Sequence, residues 1–125
     1  MSLILVIDDE PKIRQLMDAL LDYEGHTTLI ARDGREGLEL LGKDVDLVVT
    51  DLLMPNKEGL ETIADIRRAG WGVPVIAMTG GGMVGPNSYL ETARMIGANA
   101  VLAKPFTQDE MLATVRSLLD VSVAC

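Results

Sequence analysis

Five side chains in this sequence could do chemistry together: the adjacent carboxylates Asp8 and Asp9, a third carboxylate at Asp51, the hydroxyl of Thr79 and the ammonium of Lys104. Crowded carboxylates repel, so at least one should hold its proton more tightly unless a cation enters. Oxygen-only ligands select a hard ion, and magnesium tolerates sites with few protein ligands and several waters. With such an ion present, Asp51 could attack phosphorus as a nucleophile and form an acyl phosphate. Phosphoryl transfer is mainly positioning and charge neutralisation. The metal would take one phosphoryl oxygen and Lys104 another. The third would go to the Thr79 hydroxyl or to a backbone N–H of the 51–53 turn.

Taken singly, these residues are ordinary. Asp9 reads as a helix cap, Asp51 as a strand-end Asx turn, Thr79 as a β-branched strand residue, and Lys104 as a surface lysine. They acquire meaning only if the elements around them bring them to one place.

Those elements alternate without a linker or low-complexity break. Leu3 to Ile7 is a short continuous apolar run, as in a strand buried on both faces, and it ends in Asp8, Asp9 and Glu10. Pro11 suits the first turn of a helix. Ile13, Leu16, Met17, Leu20 and Leu21 then recur at helical spacing and predict one buried face, closed by Gly25. Thr27 to Ala31 is a second strand, and Asp33 with Glu36 caps a helix whose apolar side is Leu38 and Leu41. Leu47 to Val49 lead a third strand into Asp51, before the turn at Pro55-Asn56. A helix from about Gly59 to Arg68 turns Leu60, Ile63 and Ile66 inward, and Val73 to Met78 is a fourth strand finishing at Thr79.

Residues 80–86, GGGMVGP, form a glycine-rich loop. Ser88 with Glu91 then caps a helix carrying Leu90, Ala93 and Ile96, ended by Gly97. Ala100 to Ala103 is a fifth strand leading to Lys104-Pro105. Thr107 with Glu110 caps the last helix, with Leu112, Val115, Leu118 and Leu119 facing the core. Five strands alternating with five helices predict an α/β fold of the doubly wound (βα)5, flavodoxin-like kind. The parallel five-stranded sheet should run in the order 2-1-3-4-5. Ligands on such sheets bind beyond the carboxyl ends of the strands, where all five polar residues then lie.

The 125 residues fit one domain, 1–125, and leave little room for a second, so no output domain is expected. A hydrophobic content of 48% suffices for a core, and with one Phe, two Tyr and one Trp it must be aliphatic. The net charge of −8 argues against nucleic acid or an anionic membrane as a direct partner and favours cations. The single Cys125 cannot form an internal disulfide, the opening MSLILVID is no signal peptide, and no run is long enough to span a bilayer. A cytoplasmic location is expected. His26, before strand two, reads as a surface residue, while Tyr89 and Trp71 read as at least half-exposed.

The motifs IDDEP, VVTDLLMPNKEG, VIAMTG and LAKPF, in that order, resemble the receiver (CheY-like) domain of two-component response regulators, from Met1 to about Val121. The resemblance implies that Asp51 accepts phosphate from a histidine kinase phosphohistidine, a phosphotransfer protein or a small phosphodonor. It implies that magnesium is held by Asp9 directly, by Asp8 through water, by Asp51 itself and by the Leu53 backbone carbonyl. Lys104 becomes the phosphoryl partner, Thr79 the switch hydroxyl, and Lys104-Pro105 a cis bond. Readout would be by binding an unknown downstream protein, by passing phosphate on, or by dimerising through helix 4, strand 5 and helix 5. Beyond its own phosphorylation and dephosphorylation, no enzymatic activity is expected.

Two features depart from the family. An aromatic residue usually stands where this chain has Val101, so the aromatic half of the switch is missing. The segment between Thr79 and Lys104 is also longer than usual, with its excess in the glycine run. Leu53 and Gly81, two residues beyond Asp51 and Thr79, offer no polar group to orient an attacking water, so the acyl phosphate should be no shorter-lived than is typical. Three rivals remain. An aspartyl phosphatase commonly needs an acid where Leu53 stands. A flavin carrier would meet the acidic loop without counter-charge. A phosphate-independent interaction module draws support from Val101.

Overall fold

A computed structural model describes residues 2–52, 59–79 and 93–124. The elements are β1 (Leu3–Ile7), α1 (Pro11–Tyr23), β2 (Thr27–Ala31), α2 (Gly34–Leu40), β3 (Leu47–Asp51), α3 (Gly59–Arg68), β4 (Val75–Thr79), a helical segment at 93–96 (α4), β5 (Ala100–Ala103) and α5 (Gln108–Ala124). All strands are parallel and lie in the order β2-β1-β3-β4-β5, as expected. The capping box at residues 88 and 91, the glycine run 80–86, Tyr89, Leu90 and Leu53 lie outside the described residues.

The apolar runs are buried on both faces because successive side chains alternate between two cores. Ile4, Val6, Leu47, Val49, Ile76 and Met78 pack with Met17, Leu20 and Leu21 of α1 and with Met111, Leu112, Val115 and Leu119 of α5. Leu5, Ile7, Val48, Val75 and Ala77 face the other way, against Ile63 and Ile66 of α3 and Ala93 of α4. The alternation extends to β5, where Ala100 and Leu102 join the first core and Val101 the second.

Local signals operate as their chemistry requires. Pro11 opens α1. Gly25, at φ 89, lets His26 N–H reach the Leu21 carbonyl at 2.9 Å and its own N–H reach Asp22 at 2.9 Å, closing the helix in a Schellman turn. Glu36 N–H donates to the Asp33 carboxylate at 2.9 Å. Thr107 and Glu110 bond reciprocally: Thr107 N–H to Oε1 at 2.9 Å and Glu110 N–H to Oγ1 at 3.0 Å.

Three expectations need correction. Leu16, assigned to the buried face of α1, is 42% exposed. The face covered by the sheet centres on Met17, Leu20 and Leu21. Leu16 falls at its margin, in a shallow outward groove with Ile13, Pro105 and Phe106. His26 is half-buried rather than on the surface, and its Nδ1 is enclosed with no hydrogen-bond partner among the described residues. Strand β4 begins at Val75, not Val73. Pro74 has no N–H for a ladder, although its carbonyl accepts from Val48 N–H at 2.9 Å.

Candidate functional site

Register explains why the acids meet. Ile7 pairs with Thr50 across β1 and β3, so one step further Asp8 stands level with Asp51 on neighbouring strands. Asp51 in turn pairs with Met78, and Met78 with Leu102. Asp8, Asp51 and Lys104 continue the phase of Val6, Val49 and Leu102, all of which pack into the first core. Level placement and common phase send these side chains to one spot. One carboxylate oxygen from each of Asp8, Asp9 and Asp51 lies within 4.8 Å of the others. Lys104 Nζ is 3.1 Å from Asp8 Oδ2 and 3.5 Å from Asp51 Oδ2.

The pocket is largely enclosed. Asp8 has no exposed surface and Asp51 and Thr79 almost none, whereas Asp9 opens to solvent. Burial alone would lower the Lys104 ammonium from its ordinary value. The charges of Asp51 and Asp8, the hydrogen bond to Asp8 and the more distant Glu10 outweigh that and raise it. Lys104 is therefore held firmly charged, opposite the acids. Thr79, at the end of β4, carries a buried hydroxyl with no hydrogen-bond partner among the described residues. Its carbonyl accepts Lys104 N–H at 2.7 Å, so the two residues share one backbone link. The Lys104-Pro105 bond is cis.

Backbone around Asp51 is fixed from three sides. Leu52 N–H donates to the Met78 carbonyl at 2.9 Å, Gly59 N–H to the Leu52 carbonyl at 3.0 Å, and the Thr50 hydroxyl to the Asp51 carbonyl at 3.0 Å. A Cβ on Gly59 would stand 2.0 Å from the Asp51 carbonyl oxygen, so only glycine lets α3 start this close to the strand end. Sequence reasoning had Gly59 as the start of a helix and as the last letter of a motif. Its contact with Asp51 was not legible.

Sequence also assigned nothing to Arg14, whose Nη1 donates to the Asp8 carbonyl at 2.8 Å. A basic residue in the second turn after an acidic pair is too common to signal that contact. Val101 is half-buried, packs into the second core and pairs in register with Ala77. The Leu53 carbonyl lies outside the described residues.

The three carboxylates suit a hard divalent cation: oxygen donors only, mutually repelling, with one of them open to solvent. Comparison with known proteins agrees with this geometry. Residues 4–116 match the family described as the response regulator receiver domain. The chain belongs to that family. This receiver domain is 37% identical over 121 residues to the transcriptional regulatory protein CpxR of Klebsiella pneumoniae, covering 95% of this chain and 50% of that protein. To the response regulator MprA of Mycolicibacterium vanbaalenii it is 37% identical over 117 residues, covering 93% of this chain and 49% of that one. The receiver domain thus spans about half the length of these curated relatives.

Among solved structures, a response regulator receiver domain protein from Clostridium thermocellum superposes with a TM-score of 0.90 at 29% identity, covering 99% of this chain and 98% of that one. A Francisella receiver domain gives 0.88 at 28% identity, over 98% and 99%. No helix among the described residues is long and apolar enough to cross a membrane.

Proposed function

We propose that this receiver domain is a phosphorylation-activated switch, and that Asp51 takes its phosphoryl group from the phosphohistidine of a sensor histidine kinase or phosphotransfer protein. The observation that carries this is the convergence of Asp8, Asp9 and Asp51 within 4.8 Å, with Lys104 Nζ bridging Asp8 and Asp51. In the transfer, an Asp51 carboxylate oxygen bonds to phosphorus as the P–N bond breaks. The imidazole leaves with that electron pair and regains a proton, and an acyl phosphate remains.

Asp8, Asp9 and Asp51, with the Leu53 carbonyl, would hold Mg2+, which when bound neutralises the charge of the phosphoryl oxygens. Lys104, already charged and half-buried, exchanges its contact with Asp51 for a phosphoryl oxygen. The Thr79 hydroxyl, buried and unpaired among the described residues, finds its acceptor in another. A buried hydroxyl without a partner is unfavourable, so phosphorylation draws Thr79 inward and biases a two-state equilibrium at α4, β5 and α5.

Readout is then by protein–protein contact, with a downstream target or in a dimer through α4, β5 and α5. Relatives named transcriptional regulatory proteins, about twice as long, favour a switch that alters what a longer protein or a partner does. The domain catalyses only its own phosphoryl transfer and dephosphorylation, and it works in the cytoplasm. The test is mass spectrometry after treatment with acetyl phosphate and magnesium. One phosphoryl group should appear, and Asp51→Asn should abolish it. No gain in wild type, or a gain that survives Asp51→Asn, refutes the assignment.

A second reading, a phosphate-independent interaction module, is favoured by Val101 in place of the usual aromatic. It requires target binding that Asp51→Asn leaves unchanged.

A further inference from the structure

Every polar group of Asp8 is held. Its N–H donates to the Ala31 carbonyl at 3.1 Å, Oδ1 accepts Glu10 N–H at 2.9 Å, and Oδ2 accepts Lys104 Nζ at 3.1 Å. The carbonyl accepts Arg14 Nη1 at 2.8 Å. That fourth bond differs in kind. Ladder pairing of β1 stops at Ile7 on both sides, so the Asp8 carbonyl lies past the last paired residue. A side chain supplies its donor instead. The carbonyl also belongs to the peptide that joins Asp8 to Asp9, and the plane of that peptide sets how the two carboxylates face each other. With Lys104 as a close counter-charge, three carboxylates within 4.8 Å still gain by turning apart. Asp9, exposed while Asp8 is enclosed, is the one that can turn away, and a rotation of this peptide would carry its carboxylate with it. Arg14 itself is anchored, since its N–H donates to the Glu10 carbonyl at 3.1 Å in the first turns of α1.

We propose that Arg14 is a positioning residue for the acidic pocket: by holding the Asp8–Asp9 peptide it keeps both carboxylates in the arrangement that takes a divalent cation. This rests on the reading of Asp51 as phosphoryl acceptor and adds the residue that prepares its pocket. A planar guanidinium suits the task, because it stays charged and its pre-organised donors lose little freedom when bonded. It also sets a positive charge beside the acids without competing for their oxygens.

The experiment is a magnesium titration of the phosphate-free protein, by calorimetry, on wild type, Arg14→Met and Arg14→Lys. Urea unfolding without metal and acetyl phosphate labelling are measured in parallel. Loss of a group that orients metal ligands typically lowers affinity 10–100-fold, and Arg14→Met should weaken magnesium binding by about tenfold at the lower end of that range. Arg14→Lys, which keeps a donor and the charge, should recover most of it. Labelling at low magnesium should fall in Arg14→Met and return at saturating magnesium, a rescue that a merely structural role would not give.

Unchanged magnesium affinity in Arg14→Met overturns the proposal, as does a loss no smaller in Arg14→Lys. Should Arg14→Met not fold, the wild-type guanidinium NMR signal of Arg14 decides. It should shift in step with the Asp9 amide as magnesium is added, and a signal that stays still overturns the proposal. Failure of wild type to bind magnesium or accept phosphate refutes the reading of Asp51 itself, whatever Arg14 does.

Discussion

Lys104 shows how one charge organises the site before any phosphate arrives. Its ammonium lies 3.1 Å from Asp8 and 3.5 Å from Asp51, and its pKa is raised because the neighbouring acids overcome the cost of burial. A raised folded-state value means that the stability from this pairing is complete below the ordinary lysine pKa of about 10.4. That contribution is lost as pH climbs through the higher folded value. Wild type in metal-free buffer should therefore lose stability steeply in this alkaline range, and Lys104→Met should lose less there. At neutral pH, Lys104→Met should be less stable by roughly 1–3 kcal/mol, below the cost of breaking a fully buried pair because Lys104 keeps some contact with water. Urea unfolding across pH checks both statements. An alkaline limb of equal slope in the two proteins would show that the pairing contributes nothing.

Between elements, the close approach of α3 to the end of β3 matters most. Gly59 leaves no room for a Cβ, and the obstructing atom is a backbone oxygen that cannot swing aside. Gly59→Ala should cost about 1–3 kcal/mol, the range for overpacking a tight site. It should also slow acetyl phosphate labelling, because the displaced peptide belongs to Asp51. Labelling at the wild-type rate with a normal unfolding midpoint would show that the N-terminus of α3 yields more easily than this packing implies. The same helix was legible in sequence through Leu60, Ile63 and Ile66 at helical spacing. Its tight seat on Asp51 was not, since a missing side chain leaves only a glycine to read.

Across the molecule, Arg67 fastens the end of the sheet opposite the site. Its guanidinium donates to the carbonyls of Gly97, at 2.7 and 3.1 Å, Trp71, at 2.9 Å, and Val73, at 2.7 Å. It also donates to the Asn99 side chain at 2.9 Å. One side chain thus ties α3 to the segments entering β4 and β5, and burial lowers its pKa without neutralising it. Arg67→Ala should destabilise the domain by roughly 2 kcal/mol or more, since charged hydrogen bonds contribute about 1.5–3 kcal/mol each. The folded fraction should still accept one phosphoryl group at Asp51, because the change is at the far edge. Thermal unfolding with parallel mass spectrometry separates the effects, and loss of labelling without loss of stability would contradict this division between the two edges.

Element type and order were written in the chain. Buried strands need unbroken apolar runs, amphipathic helices need a 3.6-residue stripe, and caps and turns need particular short side chains, all of which are local requirements. Strand order and the shared edge of Asp8, Asp51 and Lys104 followed from those elements, because parallel crossovers leave few arrangements. Tertiary structure alone decided the exposure of Leu16, the enclosure of His26, the hold of Arg14 on the Asp8–Asp9 peptide and the seat of Gly59. Each depends on which atoms of distant segments come within a few ångströms, often backbone atoms identical in every residue, and no local pattern encodes that distance.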